Sequence, residues 1–198
     1  MFKRICKITF ITHGATVYSL DGIINDTLKY PKLNEIGEEE IDKVCDYLKK
    51  REVSYDKIYT TPNTCCIQTA EVIASLFKQK AITLDLLQRN HGVWHGCYYA
   101  DLFKEHGRTV LTQTPEEGES LSDFNKRISK VIDKLIIENK GNRIIIVTTP
   151  EVVQSVVAKT LGVKPENQHK TLIKTGSLTQ ISYFDGWSSL IYSDYHPL

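Results

Sequence analysis

One histidine stands where it could do chemistry. His13 follows an apolar run over residues 5–11 and precedes a glycine, in Ile11-Thr12-His13-Gly14-Ala15-Thr16. An imidazole nitrogen at the end of a buried strand can attack phosphorus and carry a covalent phosphoryl group. Gly14 would let backbone approach a bound ligand closely, and Thr16 adds a hydroxyl. The plain alternative is a histidine packed at a strand end and bonded to a backbone carbonyl, and His13-Gly14 alone favours it. A second cluster is Gln88-Arg89-Asn90-His91-Gly92-Val93-Trp94-His95-Gly96. His91 or His95 could donate a proton near neutral pH, and Arg89 brings one positive charge. Their i, i+4 spacing would suit a metal on a helix, but Gly92 and Trp94 argue for a turn, so neither a metal nor a cofactor is expected. Cys65 and Cys66 have two readings: thiols activated at a helix start, or small core residues, the commoner case.

The elements that must position these groups alternate in type. Residues 5–11 read as a buried strand. Residues 34–50 carry Ile41, Val44, Cys45 and Leu48 on one helical face. Lys57–Thr60 is a short strand, and residues 63–78 place Ile67, Ala70, Ala74 and Phe77 on a helical stripe. Residues 81–86 are a further strand. Residues 88–119 are irregular, with a short helix near 98–105, and are long enough to form a lid. Ser120-Leu121-Ser122-Asp123 is a capping box that opens a helix with the stripe Phe124, Ile128, Val131, Ile132 and Leu135, ended by Gly141-Asn142. Arg143–Thr148 is a buried strand and Pro150–Leu161 a helix. Residues 177–184 and 188–192, around Asp185-Gly186, read as a hairpin. The pattern predicts an α/β fold in three layers, a mostly parallel central sheet with helices on both faces. Ligands in such sheets bind beyond the carboxyl ends of the strands. Thr61-Pro62 and Thr149-Pro150 each read as an N-cap followed by proline at the first helical position.

Composition bounds the rest. A chain of 198 residues is read as one domain spanning 1–198. Lys+Arg is 25 and Asp+Glu 24, a net charge of +1, so no global field would recruit nucleic acid or an anionic membrane. Five cysteines without a CxxC fit neither a disulfide framework nor structural zinc. The N-terminal apolar run stops at Thr12 without a cleavage site, as a strand does and a signal peptide does not. No apolar run approaches the ~20 residues of a membrane span, and the cytoplasm is the expected compartment. The tail aromatics Tyr183, Phe184, Trp187 and Tyr192 are read as exposed, which would support a homodimer.

Taken in order, the segments resemble the histidine phosphatase superfamily, the phosphoglycerate mutase-like fold. Thr12-His13-Gly14-Ala15-Thr16 is similar to its Arg-His-Gly-Glu-Thr signature. Tyr59-Thr60-Thr61-Pro62 with Gln68-Thr69-Ala70 resembles its Ser-Ser-Pro…Arg-Ala-x-Gln-Thr-Ala segment. Gly92-Val93-Trp94-His95-Gly96 resembles Gly-x-Trp-Glu-Gly, and Gly118-Glu119-Ser120 with Arg127 its Gly-Glu-Ser…Arg helix entry. The tail from Asp194 to Leu198 resembles Asn-Asp…His-Leu. The resemblance implies a phosphohistidine on His13, flanked by two arginines, a second histidine and an acid. This chain departs from it at each of those supporting positions: Thr12 and Cys65 replace the arginines, Gln88 the acid and Thr149 the second histidine. Ser19 and Ile23 replace the family's Asn and Arg in the loop after the nucleophile.

The physical consequence is large. A phosphate dianion needs charge-assisted donors, each worth ~1.5–3 kcal/mol, and Thr and Cys supply neither a cation nor a bidentate fork. Losing one such donor typically costs about 10²–10³ in rate, and Gln88 has no proton to give as an acid. The expectation is therefore a pseudo-phosphatase, weak or inactive, whose cleft binds a less charged ligand or acts through a partner. The alternative is an active phosphomonoester hydrolase for a small phosphorylated substrate, working through phospho-His13 with Arg89 as phosphate ligand and His91 or His95 as acid.

Overall fold

The computed structural model describes residues 3–25 and 31–198. Its strands are β1 (Arg4–Thr12), β2 (Lys57–Thr60), β3 (Ala81–Thr83), β4 (Arg143–Thr148), β5 (Leu178–Phe184) and β6 (Trp187–Tyr195). They form one sheet in the order β3-β2-β4-β1-β5-β6. β1, β2, β3 and β4 run parallel; β5 is antiparallel to both β1 and β6. The mostly parallel α/β architecture read from the sequence is the one observed.

The sheet is buried on both faces, which explains the uninterrupted apolar run of β4. Ile144 and Ile146 point into one core with Ile8, Phe10, Phe124, Ile128, Val153 and Val157. Ile145 and Val147 point the other way, to Ile11, Ile41, Val44, Cys66 and Ile73. The helices supply the outer layers: α2 (Glu35–Lys50) and α3 (Thr64–Leu76) on one face, α5 (Leu121–Glu138) and α6 (Pro150–Leu161) on the other. α2 is held at its start by the Asn34 side chain, which accepts from Gly37 N at 2.9 Å, and its charges oppose the helix dipole, Glu35 and Glu38 first, Lys49 and Lys50 last. Ser120 caps α5 as expected, accepting from Asp123 N at 3.0 Å. The segment from 88 to 119 carries α4 (Tyr99–His106) and two 3-10 turns, Gly92–Trp94 and Gly107–Leu111, over a small core of Ile24, Trp94, Leu102 and Val110. A single-turn helix, α1 (Val17–Asp21), follows Thr16.

Several expectations need correction. β3 ends at Thr83 rather than 86, because it is an edge strand paired only with β2. α5 ends before Asn139, whose side chain turns inward to the Tyr59 hydroxyl, two residues short of Gly141. α3 begins after Asn63, so Thr61-Pro62 is not its cap. Thr149 does precede α6, but its hydroxyl caps nothing. Of the tail aromatics Trp187 is exposed as expected, but Tyr183 is buried, and Phe184, stacked on Trp187 at 4.1 Å, and Tyr192, beside Tyr195, are half-buried. Among the described residues no helix is long and apolar enough to cross a membrane.

Candidate functional site

The carboxyl ends of β1 and β4 converge on His13. Its N–H bonds the Thr148 carbonyl at 3.0 Å, and its own carbonyl accepts from Gly176 N at 2.9 Å, so the backbone is clamped on both sides. Nδ1 lies 2.7 Å from the Gly14 carbonyl, an acceptor only, so Nδ1 carries a proton. Nε2 is the nitrogen left to face the cleft.

The cleft holds about 190 Å³ and is walled by His13, Thr16, Ser19, Asn25, Cys65 and Gln88 together with Thr149, Glu151 and Thr175. Tyr18, Ile23, Pro31 and Pro150 complete the lining, and no described lining residue is a lysine or arginine. Thr16 is thus part of the cavity wall. Gly14 does not line the cavity, and its missing side chain has another cause. A Cβ there would lie 2.2 Å from the Gly37 carbonyl oxygen, and one on Gly37 would lie 2.1 Å from that of Ala15. The two glycines let α2 press against the chain beneath His13, where Glu40 accepts from Ala15 N at 2.8 Å.

The replaced family positions are each committed differently. Thr12 turns away from the cavity: its hydroxyl donates to the Lys174 carbonyl and accepts from Ser177 N, both at 2.8 Å. Gln88 is buried between Asn63, whose amide it accepts at 3.1 Å, and the Asn25 carbonyl, to which it donates. Ser19 and Thr16 cap each other at the start of α1. Thr149 lines the cavity but is only 4 % exposed, and its buried hydroxyl has no hydrogen-bond partner.

Cys65 is the second residue of α3, 2 % exposed, and lines the cavity with His13, next to the wholly buried Cys66. The neighbouring Cys66, opposed by burial and reinforced by His13, pulls the Cys65 thiol down to about 5. Burial pushes the Cys66 thiol well up, and the charge on Cys65 adds to it. Burial also works against charge on His13, but Cys65, the Gly14 carbonyl and Glu40 outweigh it and raise the imidazole above its ordinary value. Each group thus favours the charged form of the other.

Arg89 does not reach this cleft. Its Nε and Nη2 donate to the Glu119 and Gln113 carbonyls, both at 2.8 Å, and it lines a neighbouring cavity with His91, Trp94, Tyr99 and Gln168. His91 Nε2 lies 3.4 Å from Glu151 Oε2, while His95 is half-buried at the end of the 92–94 turn and lines neither cavity. Sequence reasoning passed over Glu151, the residue that joins the two cavities. Burial alone would raise its carboxyl, yet His91 and Arg89 hold it below the usual carboxylate range. Its signal was an acid in the first turn of a helix that opens beside the site. Asn25 and Thr175 were also missed, and nothing in their local sequence marks them. Among the described residues no group of three or more His, Cys, Asp or Glu is placed to hold a metal ion.

The family model described as histidine phosphatase superfamily (branch 1) matches residues 8–192. A broad-specificity phosphatase of Saccharomyces cerevisiae is 24 % identical over 190 residues, covering 91 % of this chain and 81 % of its own. Phosphoglycerate mutase-like protein 4 of Arabidopsis thaliana is 25 % identical over 201 residues, covering 95 % and 85 %. Among solved structures, a phosphoserine phosphatase of Entamoeba histolytica, in complex with 3-phosphoglyceric acid, superposes with a TM-score of 0.83 at 20 % identity, over 96 % of this chain and 98 % of its own. At such identity the structural likeness carries the fold alone.

Proposed function

The chain belongs to the histidine phosphatase superfamily, and from that premise we propose that it is a member whose cleft has given up phosphoryl transfer, with phosphatase and mutase activity weak or absent, and now binds a small ligand of low charge. One observation carries the reading. The described walls of the His13 cleft hold no lysine or arginine, while the Glu151 carboxylate and the Cys65 thiolate face it. A phosphate dianion entering there leaves water without the charge-assisted donors that would replace its hydration, each worth ~1.5–3 kcal/mol. Like charges on the wall add to the cost.

Two further features support it. Cys65 favours the protonated form of His13, and an imidazolium has no lone pair with which to attack phosphorus. Gln88, at the acid position, cannot release a proton. The rebuilt-pocket alternative would need Arg89 to leave two backbone carbonyls and enter the other cavity. The yeast relative is named a phosphatase; this chain would have to perform that reaction without the usual donors. All five cysteines are unpaired, which supports a reducing compartment, the cytoplasm.

The test is calorimetric titration of inorganic phosphate into the protein at pH 7. The reading expects a Kd weaker than about 1 mM, a binding free energy smaller than about 4 kcal/mol. A Kd tighter than about 0.1 mM that disappears in His13→Ala would overturn it and favour the active hydrolase.

A further inference from the structure

We propose that the chain carries an anion site at the amino ends of its strands, away from the His13 cleft, and that this site takes a small tetrahedral oxyanion of the phosphate class, free or as the end of a small monoester. A cavity of about 40 Å³ there is lined by Lys7 of β1, Arg143 of β4 and Arg51, the residue that closes α2, with Tyr47, Tyr55 and Tyr192 around them. Lys7 stands six residues before His13, about 20 Å away along an extended strand. The register of β1 on β4 sets Lys7 directly beside Arg143, where like charges repel unless something neutralises them. Among the described residues none of these three side chains forms an ion pair or donates a hydrogen bond to the protein. The nearby Asp56 carboxylate accepts from the Arg143 backbone N at 2.7 Å instead. The carbonyl end of α2 accounts for a cation at Arg51, but not for Lys7 and Arg143, which stand on strands. Burial, then Arg143, Arg4 and Arg51, push the Lys7 ammonium below its ordinary value, as expected of cations gathered without a counter-charge.

The walls are held in place without a ligand. Tyr55 and Gln180 are buried, 9 % and 6 % exposed, and the Thr9 hydroxyl ties both, at 3.5 and 2.9 Å. Tyr47 and Tyr192 pack on Tyr195, with 5.0 and 5.9 Å between ring centres. The Arg51 guanidinium sits over the Tyr47 ring at 5.6 Å, which orients it. Size and charge select the ligand. About 10–15 Å³ holds one water, so this cavity holds about three, the bulk of a tetrahedral oxyanion with its fourth oxygen at the mouth. Two planar guanidinium forks and an ammonium suit several oxygens at once, and three cations favour a dianion over a carboxylate. The described walls of the His13 cleft carry no lysine or arginine, so the two sites sort anions in opposite senses.

The experiment titrates inorganic phosphate into the isotope-labelled full-length chain at pH 7 and constant ionic strength, and follows backbone amide shifts by NMR. The proposal expects saturable shifts at Lys7, Val53, Arg143 and Gln180 with a Kd of about 1–10 mM, alike in the parent and in His13→Ala. Arg143→Gln and Arg51→Gln should each weaken binding about tenfold, the loss of one charge-assisted donor. Arg51 is exposed, so its variant keeps the test open if Arg143→Gln fails to fold. Lys50→Gln removes an exposed cation that does not line the cavity and should leave binding unchanged. Glycerol phosphate in a parallel titration separates the two sources: an equal Kd assigns the end of a monoester, and one about tenfold weaker the free ion. Shifts that never saturate, that fall on the His13 cleft instead, or that Lys50→Gln weakens as much as Arg51→Gln overturn the proposal. Binding lost in His13→Ala belongs to the cleft, so this site and the reading of the cleft fail separately.

Discussion

Replacing Gly14 by alanine puts a methyl group where the backbone of α2 already stands. The added Cβ would lie 2.2 Å from the Gly37 oxygen, 2.8 Å from its carbonyl carbon and 2.9 Å from its Cα, whereas ordinary contact begins at 3.4 Å. All three atoms are backbone, so no side chain can swing away; α2 must retreat by more than 1 Å. That movement strains the Ala15 N to Glu40 bond at 2.8 Å and the Asn34 N to Ala15 carbonyl bond at 3.1 Å. Overpacking typically costs about 1–3 kcal/mol, and each weakened hydrogen bond about 1 kcal/mol. Together these give a loss of about 2–5 kcal/mol, a large share of the about 5–15 kcal/mol that holds a domain together. Urea denaturation should show the midpoint falling by about 1–2 M at an unchanged slope. Gly37→Ala should behave alike, because its Cβ would meet Ala15 at 2.1 Å. A Gly14→Ala protein within 0.5 kcal/mol of the parent, about the noise for a surface change, would refute the claim that this glycine serves helix packing.

Arg127 ties Glu119 to the strand-end segment, with a two-point bond to the carboxylate (3.0 and 2.8 Å) and donations to the Leu87 and Gln88 carbonyls. Arg127→Ala should cost about 1–3 kcal/mol in denaturant titration and speed amide exchange around residues 88–90; unchanged exchange there would contradict it. Glu151 is held ionised in the fold, so its contribution to stability is present above the ordinary carboxyl value of 4.5 and is lost as pH falls below it. Glu151→Gln should therefore flatten the acid limb of a stability–pH profile, and an unaltered acid limb would count against the pairing with His91 and Arg89. Ser120→Ala removes a cap hydrogen bond and should cost about 1 kcal/mol. Thr149→Val, which replaces a buried hydroxyl without a partner by a methyl of the same shape, should be neutral or stabilising; a loss above about 1 kcal/mol would mean the hydroxyl is bonded after all.

The fold was largely legible because its signals are local. Ile144 to Val147 reads as a strand covered on both faces, Asp185-Gly186 as a hairpin turn, and Ser120 with Asp123 as a helix start; each is where the pattern puts it. The placement of His13 at a strand end was legible for the same reason. What surrounds it was not. Thr149-Pro150 has the spacing of a cap, but whether a hydroxyl turns to the helix or to a cavity is decided by neighbours distant in the chain. Gly14 reads as room for a ligand until Gly37, on α2, takes that room. Arg89 neighbours Gln88 in the chain, yet only Gln88 lines the His13 cavity, and the Arg89 guanidinium goes to the Glu119 and Gln113 carbonyls. Cys65 carried both readings, and only the approach of His13 separates an activated thiol from a core residue.

The central claim is that the fold and the histidine are kept while phosphoryl transfer is not. Steady-state turnover on a broad panel of phosphomonoesters tests it most directly. The account predicts rates far below ~1 s⁻¹, the lower edge of the usual enzyme range, and no difference between the parent and His13→Ala. Turnover above ~1 s⁻¹ that vanishes in His13→Ala would contradict it.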